Sequence, residues 1–132
     1  MRLECTADKS AWAEVKDAWT RNDLKRFYEL SGKASIAVPE TSETASDEVK
    51  AAVAEMQARR QTALDDLLAY YKEVVKDAHL ADVNGREYRG VEECFGADDV
   101  GDLDAAVARF WVMLPQLAYN ERLKLGEVKR VS

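Results

Sequence analysis

Few residues in this sequence are suited to chemistry, and each has a competing structural use. His79 is the single histidine, the side chain best placed to move protons near neutral pH. It follows a long apolar-periodic run, where an imidazolium would complement the C-terminal end of a helix. No G-x-S-x-G turn is present to hold a nucleophile beside it. Asp98, Asp99, Asp102 and Asp104 could gather a hard divalent cation through oxygen ligands, which would suit a small metal-dependent enzyme. Aspartate is equally the residue that caps a helix and fills its first turn, and that use accounts for the group without a metal. Asp82-Val83-Asn84-Gly85 has the texture of a calcium loop. Placing Gly85 at the sixth loop position, however, puts Leu80 and Val91 at the first and twelfth, where oxygen ligands are needed. Cys5 and Cys94 are the only cysteines and lie far apart in the chain, too few for a zinc site and best read as small buried side chains. No phosphate loop or dinucleotide fingerprint occurs. The expectation is a protein that is not an enzyme, with no catalytic, cofactor-binding or metal-ligating residues.

Composition narrows the remaining classes. The chain has 132 residues, 47% hydrophobic and 33% charged, with a net charge of −6. It is long enough for one core, so a single domain over 1–132 is expected. No run of about 18 apolar residues occurs, which argues against a membrane span. Met1 to Thr6 lacks the apolar stretch of a signal peptide, so a cytoplasmic location is expected. The acidic balance, with a pI near 4.9, argues against nucleic acid as a partner. The whole imbalance sits in one place: Glu92, Glu93, Asp98, Asp99, Asp102 and Asp104 fall between Val91 and Asp104 with no Lys or Arg among them.

The elements that must position these residues follow from periodicity and punctuation. Residues 1–7 and 11–17 alternate as two short strands of a hairpin, joined at Asp8-Lys9-Ser10. Thr20-Arg21-Asn22-Asp23 reads as a capping box opening a short helix that Gly32 would stop. Residues 33–45, with Pro39 and many Ser and Thr, read as a flexible loop. Thr44-Ala45-Ser46-Asp47 offers a second capping box. From there to about His79 there is no Gly or Pro, and a stripe of Val49, Val53, Met56, Arg60, Ala63, Leu67, Tyr70 or Tyr71, Val74 and Ala78 predicts a long amphipathic helix. At 1.5 Å per residue such a helix is roughly 50 Å long, more than a domain of this size spans. It must break near Arg59-Arg60-Gln61-Thr62 or project and find a partner. Asn84-Gly85 predicts a type I′ hairpin. Gly90 to Gly101 reads as an acidic connector, Asp102 as the cap of a final helix with Leu103, Val107, Phe110, Leu114 and Leu117 on its apolar face, and Pro115 as a break in it. Gly126 would end that helix, leaving a polar tail over 126–132. The fold class expected is mainly α with a small β component (α+β).

A binding role is the better fit. Trp12, Trp19 and Trp111 each suit a core, and tryptophan is also enriched in binding hot spots. The surfaces singled out for a protein partner are Val53, Met56, Leu67 and Tyr71 on the long helix and Phe110 and Trp111 on the last one. Glu92, Glu93 and Asp98 would steer a basic partner.

Three features in order carry a resemblance: Trp12-Ala13-Glu14-Val15-Lys16-Asp17 and Trp19-Thr20-Arg21 leading into a helix; Leu80-Ala81-Asp82-Val83-Asn84-Gly85 after a long helix; and an aromatic final helix from Asp104 to Leu125 after the acidic segment. This order resembles small tail-morphogenesis proteins of long-tailed bacteriophages, in particular tail assembly chaperones, over residues 11–30 and 66–125. The resemblance implies a mainly helical, non-enzymatic protein of the host cytoplasm. Such a protein coats the tape measure protein, brings tail tube subunits to it, is absent from the finished virion, and can associate with copies of itself. Two other readings fit the residues: a virion structural component such as a neck or minor tail protein, and a small acidic inhibitor of a nucleic-acid-binding protein.

Overall fold

The computed structural model describes residues 1–131, with side chains described for all of these except Asp99, Val100 and residues 125–131. It is an α+β fold in which five helices pack on one face of a four-stranded antiparallel sheet. Strands β1 (Arg2–Glu4), β2 (Trp12–Val15), β3 (Val75–Ala81) and β4 (Glu87–Arg89) lie in that order across the sheet. The N-terminal hairpin forms as its alternation predicts, with Leu3 opposite Ala13. Leu3, Cys5, Ala13, Val15, Ala78, Leu80 and Tyr88 face the helices and are buried. The other face carries the row Glu4, Trp12, His79, Arg89 and beside it Arg2, Glu14 and Asp77. This is the period of two expected when only one face is covered.

Helix α1 (Arg21–Ala34) opens on the predicted capping box. Asp23 N–H donates to Thr20 Oγ1 at 3.3 Å, and Thr20 N–H donates to Asp23 Oδ2 at 2.7 Å. Gly32 does not stop the helix. The helix ends two residues later, where Ser35 N–H and Oγ both reach the Ser31 carbonyl. Helix α2 (Asp47–Val74) is capped by Ser46, whose Oγ accepts from Val49 N–H, so Thr44 is not its cap.

The largest correction concerns the end of α2. The helix expected to run to about His79 stops at Val74, and Val75 begins β3 with no loop between them. Val74 and Val75 are adjacent β-branched residues, which favour extended backbone. The segment after them gains a strand partner on each side, β2 and β4. His79 therefore lies in a strand and not at a helix terminus. A register shift between Glu14 and Val15 against β3 leaves Lys76 as the extra residue.

The Asn-Gly hairpin is present with a different turn. Only Gly85 has positive φ, at +83°, while Asn84 does not. Gly85 N–H donates to the Asp82 carbonyl at 3.1 Å, and Asp82 N–H donates to Arg86 O at 2.9 Å, the pattern of a type I turn followed by a glycine bulge. The Asp82 carboxylate fixes it. Desolvation would raise its pKa, but the amides of Arg86 and Asn84 and the Tyr88 hydroxyl, all bonded to it, hold it below the usual range.

The acidic connector is itself a helix, α3 (Val91–Val100), bounded by Gly90 and by Gly101 in the left-handed region. Its inward residues, Cys94 and Ala97, are buried. Asp104, not Asp102, caps the next helix, accepting from Ala106 N–H at 3.0 Å. The single final helix is two: α4 (Ala105–Val112) and α5 (Leu114–Val131), broken at Met113 ahead of Pro115 as proline's missing donor predicts. Gly126 does not end α5; the expected polar tail is helical to Val131, and Ser132 lies outside the described residues.

One buried cluster joins the sheet to the helices and includes Trp19, Phe27, Tyr70, Tyr71, Val107, Phe110, Trp111 and Leu114. Both cysteines are free and buried within it. Burial, with the charge of Glu93 adding to it, pushes the Cys94 thiol up to about 12.

Candidate protein-binding surface

Helix α2 has two halves with different environments. From Tyr70 to Val74 its inward residues are in the core. From Asp47 to Thr62 every residue except Val53 is exposed. The helix is unbroken at Arg59-Arg60-Gln61-Thr62, so the expected break does not occur, and the first 24 Å or so of the helix is exposed on every residue but Val53. Along it Val49 and Met56 are exposed, as is Ile36 in the segment before it. The helix is good there on local grounds alone, rich in Ala, Glu, Gln and Arg, with Arg59 paired to Glu55 at 2.5 Å one turn away.

At the base of this arm lies a groove of about 350 Å³ between α1, α2, α3 and α4. It gathers four of the partner-binding candidates: Leu67, Tyr71, Trp111 and Asp98. Arg60, the one charged member of the predicted stripe, also lines it. Leu67 is half-buried and Asp98 likewise, while Tyr71 and Trp111 are buried. The last two are thus the floor of the groove and part of the core, not surface hot spots. Their rings meet edge to face at 5.0 Å, and the Tyr71 hydroxyl donates to the Trp111 carbonyl at 2.8 Å. Burial holds the Tyr71 phenol well above the usual tyrosine range. Val112 adds an exposed apolar side chain to the same lining.

The other candidates lie elsewhere. Val53 is buried on the arm, and Met56 is exposed beyond the groove. Phe110 is 5% exposed and lines a second groove on the β1 side, so it is a core residue away from the first. Glu92 and Glu93 occupy the first turn of α3. Glu92 pairs with Lys72 of α2, which lowers its carboxyl pKa, so its charge is already answered within the chain. With Asp104 used as a cap, the acidic segment is less concentrated as a docking face than the sequence suggests.

Sequence reasoning did not find the open face of the sheet, because it set His79 in a helix. There His79 Nδ1 lies 2.5 Å from Ser10 O and Nε2 3.3 Å from Glu87 Oε1. Its ring is stacked near Trp12, and the Arg2 guanidinium sits 4.4 Å from the Trp12 ring centroid. These contacts engage both ring nitrogens of His79, which lines a pocket of about 350 Å³ together with Lys9, Ser10, Asp77 and Arg89. Among the described residues, no three His, Cys, Asp or Glu side chains gather as a metal site, and no helix is long and apolar enough to cross a membrane.

Comparison with protein-family models, with curated proteins and with solved structures finds no match to this chain.

Proposed function

We propose that this chain is a non-enzymatic protein-binding factor of phage tail morphogenesis. In this reading it is an assembly chaperone acting in the host cytoplasm that holds tape measure and tail tube proteins. The observation that carries the reading is the exposed first half of α2, with Val49 and Met56 open to solvent, ending at a groove that contains Leu67 and Val112. A helical client can lie along the arm and place an apolar side chain in the groove, the arrangement of helix-in-groove recognition. Arg60 in the groove lining gives it a positive charge with which to orient a client helix. The resemblance in element order to tail assembly chaperones supplies the identity of the client. No cofactor or nucleic acid enters this reading.

The test is co-expression with the tape measure and tail tube proteins encoded alongside it, followed by purification through a tag on this chain. Recovery of either client with the wild type, and its loss with Val49→Glu/Met56→Glu, supports the reading. Recovery of neither client overturns it. Finding the chain as a stoichiometric component of purified particles would replace it with a virion structural role.

A further inference from the structure

We propose that the edge strand β1 is the seat of a two-fold contact with a second copy of this chain, formed by antiparallel pairing of β1 with itself about Leu3. Hydrogen-bond parity fixes which backbone groups of β1 face outward. Val15 N–H donates to Met1 O at 2.8 Å and Cys5 N–H to Ala11 O at 2.9 Å, and Leu3 lies opposite Ala13. Residues 1, 3 and 5 therefore turn their backbone groups toward β2, and Arg2 and Glu4 turn theirs to the outer edge. β1 ends the sheet, so that edge has no strand beside it. It carries no proline or bulge to block pairing.

Antiparallel pairing centred on Leu3 sets Arg2 of each copy opposite Glu4 of the other. These are the residues with outward backbone groups, so each facing pair exchanges two backbone hydrogen bonds. Each also brings opposite charges together on the open face, where Arg2 Nε and Glu4 Oε1 of one chain already lie 3.5 Å apart with side chains 52% and 48% exposed, so the pairing would join two such ion pairs into a four-charge cluster of alternating sign. No neighbouring register does this. Centring on Arg2 or on Glu4 sets like charges against each other, and a parallel arrangement aligns each residue with its own kind. The strand is thus complementary to itself in one register.

The apolar side agrees with the polar one. Beside β1, between it and α4 and α5, runs a groove of about 890 Å³ lined by Leu3, Cys5, Met113 and Leu117, with Leu117 37% exposed. In the proposed pairing the two Leu3 residues form the central non-hydrogen-bonded pair, whose side chains approach most closely, on the face that borders this groove. The contact uses no residue of α2 or of the groove at its base, so it stands or falls separately from client binding.

The test is sedimentation of the wild type, Arg2→Glu, Glu4→Arg and the double swap across a concentration series. A dimer of twice the 14.8 kDa chain mass is expected. Each single swap should weaken it about tenfold or more, since both symmetric pairs become like-charged, and the double swap should restore it. A wild type that stays monomeric to millimolar concentration overturns the proposal. So does a dimer that the single swaps leave intact. Amide hydrogen exchange on the wild type needs no variant: protection of the Arg2 and Glu4 amides should rise with protein concentration. Concentration-independent exchange at both refutes the pairing.

Discussion

The Tyr71 hydroxyl repairs a defect that Pro115 creates, and removing it should cost measurable stability. In a continuous helix the residue 115 amide would donate to the carbonyl of residue 111. Proline has no amide hydrogen, and the helix breaks there into α4 and α5. The Trp111 carbonyl instead receives the Tyr71 hydroxyl at 2.8 Å, with the Val112 carbonyl also within 3.3 Å. Tyr71 is 2% exposed and Trp111 1%, so water cannot readily replace the hydroxyl. Tyr71→Phe preserves the ring contacts with Trp111 and Phe95 and takes the hydroxyl donor from a buried carbonyl whose other contact is the Met113 N–H two residues on. That should cost about 1–3 kcal/mol, a fall in Tm of roughly 3–12 °C for a chain of this size. Denaturant unfolding followed by circular dichroism measures it. A double-mutant cycle sharpens it: in a Pro115→Ala background the residue 115 amide is available again, and the cost of Tyr71→Phe should drop below about 1 kcal/mol. A neutral Tyr71→Phe, or an equal cost in both backgrounds, would show that the hydroxyl does not stand in for the amide missing at Pro115.

Three further outcomes are expected. Burial raises the pKa of Tyr70 and Tyr71 above the ordinary value of 10.0 and that of Cys94 above 9.0. The unfolded chain therefore releases these protons first as pH rises, stability is full below about pH 9 and falls above it, and Tyr71→Phe should show a shallower alkaline decline; parallel declines would count against burial as the cause. Gly101 caps α3 at φ +83°, and although a Cβ there meets no neighbour, Gly101→Ala should lose about 1–2 kcal/mol from backbone strain alone, with an unchanged midpoint in urea contradicting this. Val49→Glu should leave stability unchanged or slightly raised, because Glu at the third position of α2 can return a hydrogen bond to the Ser46 amide and complete a capping box; a drop in Tm beyond about 2 °C would mean that Val49 packs against something in the free protein.

The parts of this fold legible in the sequence are those set by local chemistry. The alternation of Leu3 and Cys5 with Arg2 and Glu4, the Thr20–Asp23 box and the break at Pro115 each depend on residues close in the chain, and each forms. The parts that were not legible depend on long-range pairing. Val75 to Ala81 continues the helical stripe through Ala78, and only the presence of β2 and β4 on either side makes it a strand. Its reassignment moves His79 onto the open sheet face. Likewise α3 reads as a linker because its acids and glycines outweigh its inward residues, of which only the small Cys94 and Ala97 are fully buried while Val91 and Phe95 pack partly on the core. Of the candidate contact residues, the stripe on α2 was found correctly as a stripe, but periodicity alone cannot tell which half of a helix the core will cover. Val53, Tyr71, Phe110 and Trp111 are all covered, whereas Val49 and Met56, which share the α2 stripe, are exposed.

In the proposed function the exposed half of α2 and the groove at its base hold a helical client. The decisive experiment is hydrogen exchange of this chain with and without the proposed client, a tape measure protein. Added protection should concentrate in side-chain-exposed stretches of residues 49–67 and in α4 near Val112. Protection confined to β1 and α5, or absent altogether while the client is present in saturating amount, would contradict the account.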